Sequence, residues 1–211
     1  METILITGGT GGLGTAVVKR LAADYRCVVL YHGQSGFDAL QKVADVEGVS
    51  ADVSNEADVA QAVASIGELY AVVHLVGGFA TGDDADTWAK MVALNITAAA
   101  NVTRAAIPHL AKGGRIVAIS SSATLDRPPG LAAYVVSKSA LNALVEVLAV
   151  ELKDRAITVN ALLPNSLRTP AMLSQAGADK LVPIERVAET IAWLLSDAAA
   201  NVSGALIPLR A

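Results

Sequence analysis

Short apolar runs recur along this chain, and several are continuous where a half-exposed strand would alternate. Ile4-Leu5-Ile6, Cys27-Val28-Val29-Leu30 and Ile116-Val117-Ala118-Ile119 offer no polar residue to either side of a pleat. Strands of that kind are buried on both faces. Runs at residues 4–7, 26–31, 48–51, 70–76, 115–120, 158–163 and 205–209 read as seven strands. Between them, residues 13–23, 37–44, 56–66, 86–109, 132–153 and 184–196 read as helices. Strand–helix alternation with fully buried strands predicts an α/β fold built on a doubly wound parallel sheet.

The composition supplies such a core. Hydrophobic residues make up 53% of the 211, but aromatics only 4%, so Ala, Val, Leu and Ile must fill it. That length suits one domain, and no linker, repeat or charged tail divides it, so residues 1–211 are expected to form a single domain. A net charge of −4 without a basic cluster argues against a nucleic-acid partner. The single cysteine, Cys27, excludes an intrachain disulfide and reads as a buried thiol. The chain enters a strand at once, which leaves no room for a secretory signal, and no uninterrupted apolar run is long enough for a bilayer. The expectation is a soluble cytoplasmic protein. His32, His74 and His109 show no metal-ligand spacing, so no metal is expected.

Thr7-Gly8-Gly9-Thr10-Gly11-Gly12-Leu13-Gly14 lies between the first strand and the first helix. Glycines allow a tight turn and a close backbone approach to a pyrophosphate, and the helix N-terminus offers N–H groups to the anion. A plain βα turn is the bland alternative, but strand, loop and helix all fall where a dinucleotide needs them. Downstream, Tyr134 and Lys138 are four residues apart, on one face of a helix. A phenol has an ordinary pKa of about 10, and a fixed cation nearby lowers it. Ser121, thirteen residues before Tyr134, offers a hydroxyl to hold a substrate oxygen. Asn95 sits mid-helix, where an amide competes for backbone hydrogen bonds.

These residues resemble the short-chain dehydrogenase/reductase family over nearly the whole chain. Thr7, Gly8, Gly12 and Gly14 match its Thr-Gly-x-x-x-Gly-x-Gly signature, and Tyr134 and Lys138 its Tyr-x-x-x-Lys signature. The family's active-site serine maps to Ser121 and its asparagine to Asn95. The resemblance implies a Rossmann-like, seven-stranded domain that moves a hydride between a nicotinamide and a carbonyl or alcohol. Tyr134 would be its general acid/base. Lys138 would lower the tyrosine pKa and bind the nicotinamide ribose, Ser121 would hold the substrate oxygen, and Asn95 would support a proton relay. The cofactor would be held by Gly8, Thr10, Gly12, Leu13, Gly14, Tyr134 and Lys138, by Asp52 and Val53 at the adenine, and by Gly77, Pro164 and Thr169 at the nicotinamide end.

The chain departs from the pattern in two places. Asn165 replaces a glycine, and the family's Asn-Asn-Ala-Gly segment appears as His74-Leu75-Val76-Gly77. Val76-Gly77-Gly78, with the later Leu-Leu-Pro and Arg-Thr-Pro, resembles the dihydropteridine reductase branch, although that branch is associated with loss of the serine. After the second strand, Tyr31-His32-Gly33-Gln34-Ser35 has no carboxylate to repel a 2′-phosphate. His32, Gln34 and Ser35 can donate hydrogen bonds there, which favours NADP(H) over NAD(H). The lid after Thr169, residues 170–182, is short and suggests an open cleft. Apolar residues cover much of the helix at 132–153, enough to pack a second copy in a homodimer or homotetramer. The competing readings are a dihydropteridine reductase-like enzyme and a non-catalytic nicotinamide sensor.

Overall fold

The computed structural model describes residues 1–173 and 177–211. Seven strands form one sheet: β1 (Thr3–Thr7), β2 (Arg26–Tyr31), β3 (Glu47–Ser50), β4 (Leu69–His74), β5 (Leu110–Ile119), β6 (Thr158–Pro164) and β7 (Leu206–Leu209). Their order is β3-β2-β1-β4-β5-β6-β7, and each neighbouring pair is parallel. The helices are α1 (Gly12–Leu21), α2 (Gln34–Gln41), α3 (Glu56–Ile66), α4 (Ala85–Val92), α5 (Ala98–Ala106), α6 (Ala123–Asp126), α7 (Ala132–Glu151), α8 (Pro170–Leu173) and α9 (Ile184–Leu195). The chain steps outward from β1 to β3, then returns past β1 to β4 and steps the other way. This Rossmann-like reversal opens a crevice at the C-terminal ends of β1 and β4.

Side chains alternate between two cores along each strand. Ile4 and Ile6 join Val29, Val73 and Leu162 beneath Val17, Leu21, Phe37, Val187 and Ile191 of α1, α2 and α9. Leu5 joins Leu30, Val72, Ile116 and Leu163 beneath Val59, Val63, Val102, Leu141 and Val145 of α3, α5 and α7. The unbroken apolar runs thus serve two helix layers at once. Cys27 lies in the first core, where burial pushes its thiol up to about 12 and leaves it inert.

The elements differ from the expected ones at informative points. The helix expected over 86–109 changes pitch: a π-helical turn (Ala93–Thr97) separates α4 from α5, and Ile107–His109 closes as a 3₁₀ turn. β4 stops at His74 rather than at residue 76; the Leu75 N–H donates to the Thr7 carbonyl at 3.1 Å as the last bond of its pairing with β1. β5 begins at Leu110, ahead of the expected 115, and a bulge between Leu69 and Ala71 of its partner absorbs the shift. α2 starts at Gln34 instead of 37, which lets Phe37 stack on Tyr31 with ring centroids 4.3 Å apart.

Asp83 and Asp84 turn out to be a helix start. Asp84 caps α4 by accepting from the Thr87 N–H at 2.9 Å, and Asp83 accepts from Trp88 Nε1 at 2.7 Å. α7 is, by length and composition, long and apolar enough to cross a membrane, even though Lys138 and Glu146 interrupt its run. Here it lies along the sheet with Ala133, Leu141, Val145 and Leu148 buried.

Candidate active site

The glycine loop is forced by close packing at the crevice. Gly8 has φ +72°, and a Cβ on it would stand 3.0 Å from the backbone of Leu75 and Val76. A Cβ on Gly14 would strike the Gly8 carbonyl oxygen and lie 2.6 Å from Gly9 Cα. Gly11 occupies the N-cap of α1, so no side chain covers the N–H groups of its first turn. Leu13 is buried, anchoring that turn in the core. A Cβ on Gly12 would meet Thr169 Cγ2 at 3.3 Å, so the segment after β6 lies over the loop. A Cβ on Gly36 would meet Thr10 at the same distance, so Thr10 reaches the start of α2. A bare helix N-terminus beside side-chain-free backbone fits a dinucleotide's pyrophosphate.

At the adenosine end the Gln34 amide nitrogen donates to Asp38 at 2.7 Å with one of its two hydrogens, and its oxygen accepts from the Tyr31 hydroxyl at 2.9 Å. His32, Gln34 and Ser35 are all exposed. Asp52 accepts from the Ser54 N–H and hydroxyl at 2.9 and 2.7 Å, which holds its carboxyl below the usual range. The Val53 carbonyl accepts from Asn101 Nδ2 at 3.2 Å. Both residues sit in the turn from β3 into α3.

At the ends of β4 and β5 the structure brings four expected residues together. Ser121 neighbours the Tyr134 phenol and acts to lower its pKa, and Lys138 lies one turn further along α7. The flanking serines do other work. Ser120 Oγ donates to the Lys138 carbonyl at 3.4 Å, and the Ser122 N–H donates to the carbonyl of Pro164, the last residue of β6, at 3.1 Å. Lys138 is 4% exposed and its Nζ donates to the Ile119 carbonyl at 2.8 Å.

Burial raises the Tyr134 pKa above 10.0, and the neighbouring Ser121 hydroxyl only partly offsets this. Burial also pushes Lys138 down to about 8. The phenol is therefore protonated at neutral pH.

Asn95 is fully buried in the π-helical turn. Its Oδ1 accepts from the Gly78 N–H at 2.8 Å, and its Nδ2 donates to the Gly78 carbonyl at 3.1 Å and to Ser137 Oγ at 3.0 Å. The side chain is thus a clamp on the strand exit. Gly77 threads beside it, where a Cβ would stand 2.7 Å from Lys138 Nζ. A π-turn widens the helix locally and is a frequent mark of a functional site.

Four residues escaped the sequence reading. Ser137 accepts from Asn95 and donates to the Tyr134 carbonyl at 2.9 Å. Asn142 donates to Thr124 Oγ1 at 3.1 Å, and Thr124 in turn donates to the Ser121 carbonyl at 2.8 Å, which ties the Ser121 turn to α7. Helical spacing was the signal for two of them: Ser137 falls three residues after Tyr134, and Asn142 four after Lys138. The fourth, Phe79, sets its ring edge-on to Tyr134, centroids 5.0 Å apart at 75°. His74 is buried, and its Nδ1 shares a hydrogen bond with Thr7 Oγ1 at 2.8 Å. Burial and Lys138 hold its pKa down at about 3, so a neutral imidazole joins β1 to β4 across the reversal.

A sequence profile of the short chain dehydrogenases matches residues 2–181. The 2-(S)-hydroxypropyl-CoM dehydrogenase 3 of Xanthobacter autotrophicus is 30% identical, over 97% of this chain and 93% of its own. A short-chain type dehydrogenase/reductase from Mycobacterium ulcerans superposes with a TM-score of 0.92 at 29% identity, over 99% of this chain and 88% of its own. BdcA, solved in complex with NADPH, does so at 0.89 and 29%, over 99% and 92%. The chain belongs to the short-chain dehydrogenase family. It is an oxidoreductase of the kind that binds a nicotinamide cofactor.

Two predictions come from this geometry. Gly14→Ala drives a methyl into the Gly8–Gly9 backbone, so NADPH affinity should fall at least about tenfold, an expectation scaled from the cost of overpacking. A fluorescence titration reads it, and unchanged affinity would refute the packing account. The second concerns Lys138, whose folded-state pKa of about 8 lies below the ordinary 10.5. Between those values the unfolded chain holds more protons, so stability rises with pH across the window and the burial penalty is fully felt below pH 8. Measured against Lys138→Met, in which other titrating groups cancel, wild-type stability should gain about 3 kcal/mol across it. Urea melts at both ends of the window test this; a pH-independent difference would contradict it.

Proposed function

We propose that this chain catalyses reversible interconversion of a carbonyl and an alcohol on a small molecule, with Tyr134 as general acid in reduction and general base in oxidation. The observation that carries the reading is the Tyr134 phenol set beside Ser121, with the buried Lys138 ammonium one turn away. A bound nicotinamide supplies or accepts the hydride. Ser121 holds the substrate oxygen beside the phenol and polarises it. Lys138 would bind the nicotinamide ribose and, as a nearby positive charge, favour the phenolate of Tyr134. Asn95 and Ser137 position Gly77–Gly78 and the first turn of α7. The Ser121 contact supports this reading over a dihydropteridine reductase-like one, and the full Ser-Tyr-Lys set supports it over a sensor.

The cofactor reading is NADP(H) in preference to NAD(H). It is supported by the exposed His32, by the absence of a carboxylate in residues 31–35, and by the NADPH held by BdcA. Gly8, Thr10, Gly12, Leu13 and Gly14 would hold the pyrophosphate side, His32, Asp52 and Val53 the adenosine side, and Gly77, Pro164 and Thr169 the nicotinamide side. The whole chain, residues 1–211, is read as one cytoplasmic domain, which one continuous sheet supports.

A self-association reading is supported by the outer side of α7, where Val136, Val147 and Val150 are 52%, 52% and 76% exposed. The helix should pack against a second copy in a homodimer or homotetramer. Light scattering at micromolar protein measures this directly; a monomer would overturn it.

Tyr134→Phe should lower kcat by at least about a thousandfold, in line with loss of a general acid together with its positioning, while NADPH binding stays within about twofold. A panel of ketones, alcohols and a quinonoid pterin, followed by nicotinamide absorbance, provides the measurement. Near-normal turnover by the variant would sink the tyrosine role, turnover of the pterin alone would favour the alternative enzyme, and better efficiency with NADH would reverse the cofactor reading.

A further inference from the structure

Phe79 is a large apolar side chain left 62% exposed beside the proposed reacting phenol. Its backbone has little freedom. Asn95 binds Gly78 through both N–H and carbonyl, and a Cβ on Gly78 would stand 2.6 Å from Leu94 Cδ1 and 3.1 Å from Met91 Cε. The ring is therefore presented from a clamped segment rather than from a slack loop. It meets the Tyr134 ring at 75° and still leaves more than half of its own surface open to solvent.

The nearby loops share this character. β4, β5 and β6 are neighbours in the sheet, and each is followed by an exposed apolar side chain: Phe79, Leu125 at 51% and Leu173 at 47%. The acidic groups of the loop that follows Phe79 are otherwise engaged, since Asp83 holds Trp88 and Asp84 holds Thr87. An uncovered aromatic face one ring away from a proton donor favours a flat apolar group stacked on it, by offset or edge-to-face contact.

We infer that Phe79 is a specificity-determining residue, and that the carbonyl substrate carries a flat, apolar, aromatic group seated against its ring. This rests on the reading of the Tyr134 surroundings as the substrate site. Acetophenone and cyclohexyl methyl ketone separate flatness from size, because both carry a methyl ketone on a six-membered ring. Binding is measured calorimetrically to protein saturated with NADP⁺, where cofactor and ketone are both oxidised and no turnover occurs. The result therefore stands apart from whether Tyr134 is the catalytic acid.

Wild-type protein should prefer acetophenone. Phe79→Leu, which keeps apolar bulk and loses the flat face, should weaken acetophenone about tenfold and the cyclohexyl ketone by much less, as expected for loss of an aromatic pair. Phe79→Tyr should restore the preference. Equal weakening of both ketones, no change in either, or no acetophenone binding to the wild-type complex would each overturn the inference. Circular dichroism and NADP⁺ affinity of each variant confirm that a lost preference is not lost folding.

Discussion

A parallel sheet covered on both faces leaves wet, polar chemistry only at its ends. Leu5 and Ile6, adjacent on β1, each reach a different helix layer and are fully buried. No polar side chain can be placed there without a hydrogen-bonding partner. The C-terminal ends of β1, β4 and β5 are where the covering opens, and the polar residues gather there: Thr7 and His74, Ser120 and Ser121, and Lys138 on the Ile119 carbonyl. The reversal of strand order between β1 and β4 makes that edge a crevice rather than a flat rim.

Within the crevice, burial governs charge. It lowers Lys138 and His74, which must shed a positive charge, and raises Tyr134, which must hold back a negative one. All three shifts have the same cause and favour the neutral form. The outcome is a protonated phenol and a neutral imidazole at pH 7, with the lysine still mostly charged below about 8.

The fold was largely legible because its signal is local. Continuous Val/Ile/Leu runs and glycine placement announce buried strands and the βα turn, and the resemblance carried by Tyr134, Lys138, Ser121 and Asn95 named the residues of the candidate site. Boundaries were less legible. β4 ends at His74, two residues short of the apolar run, and the early start of α2 places Phe37 on Tyr31. The pitch change at Asn95 is invisible in residue type alone. It comes from an amide that must reach Gly78 and Ser137 from a helix already packed on both sides. Phe79 gave no signal, since one aromatic in a loop means nothing until its neighbour is known.

The sequence by itself determined the architecture, the identity of the chemical groups and the spacing of the Tyr134–Lys138 pair, because helical and strand periodicity and glycine geometry are properties of short segments. Only the tertiary structure decided how those groups behave. Hydrogen-bond partners and burial come from residues far apart in the chain: Ile119 for Lys138, Gly78 for Asn95, Thr7 for His74 and Tyr134 for Phe79. Protonation state depends on the surrounding medium, and that medium exists only once the helices have closed over the sheet.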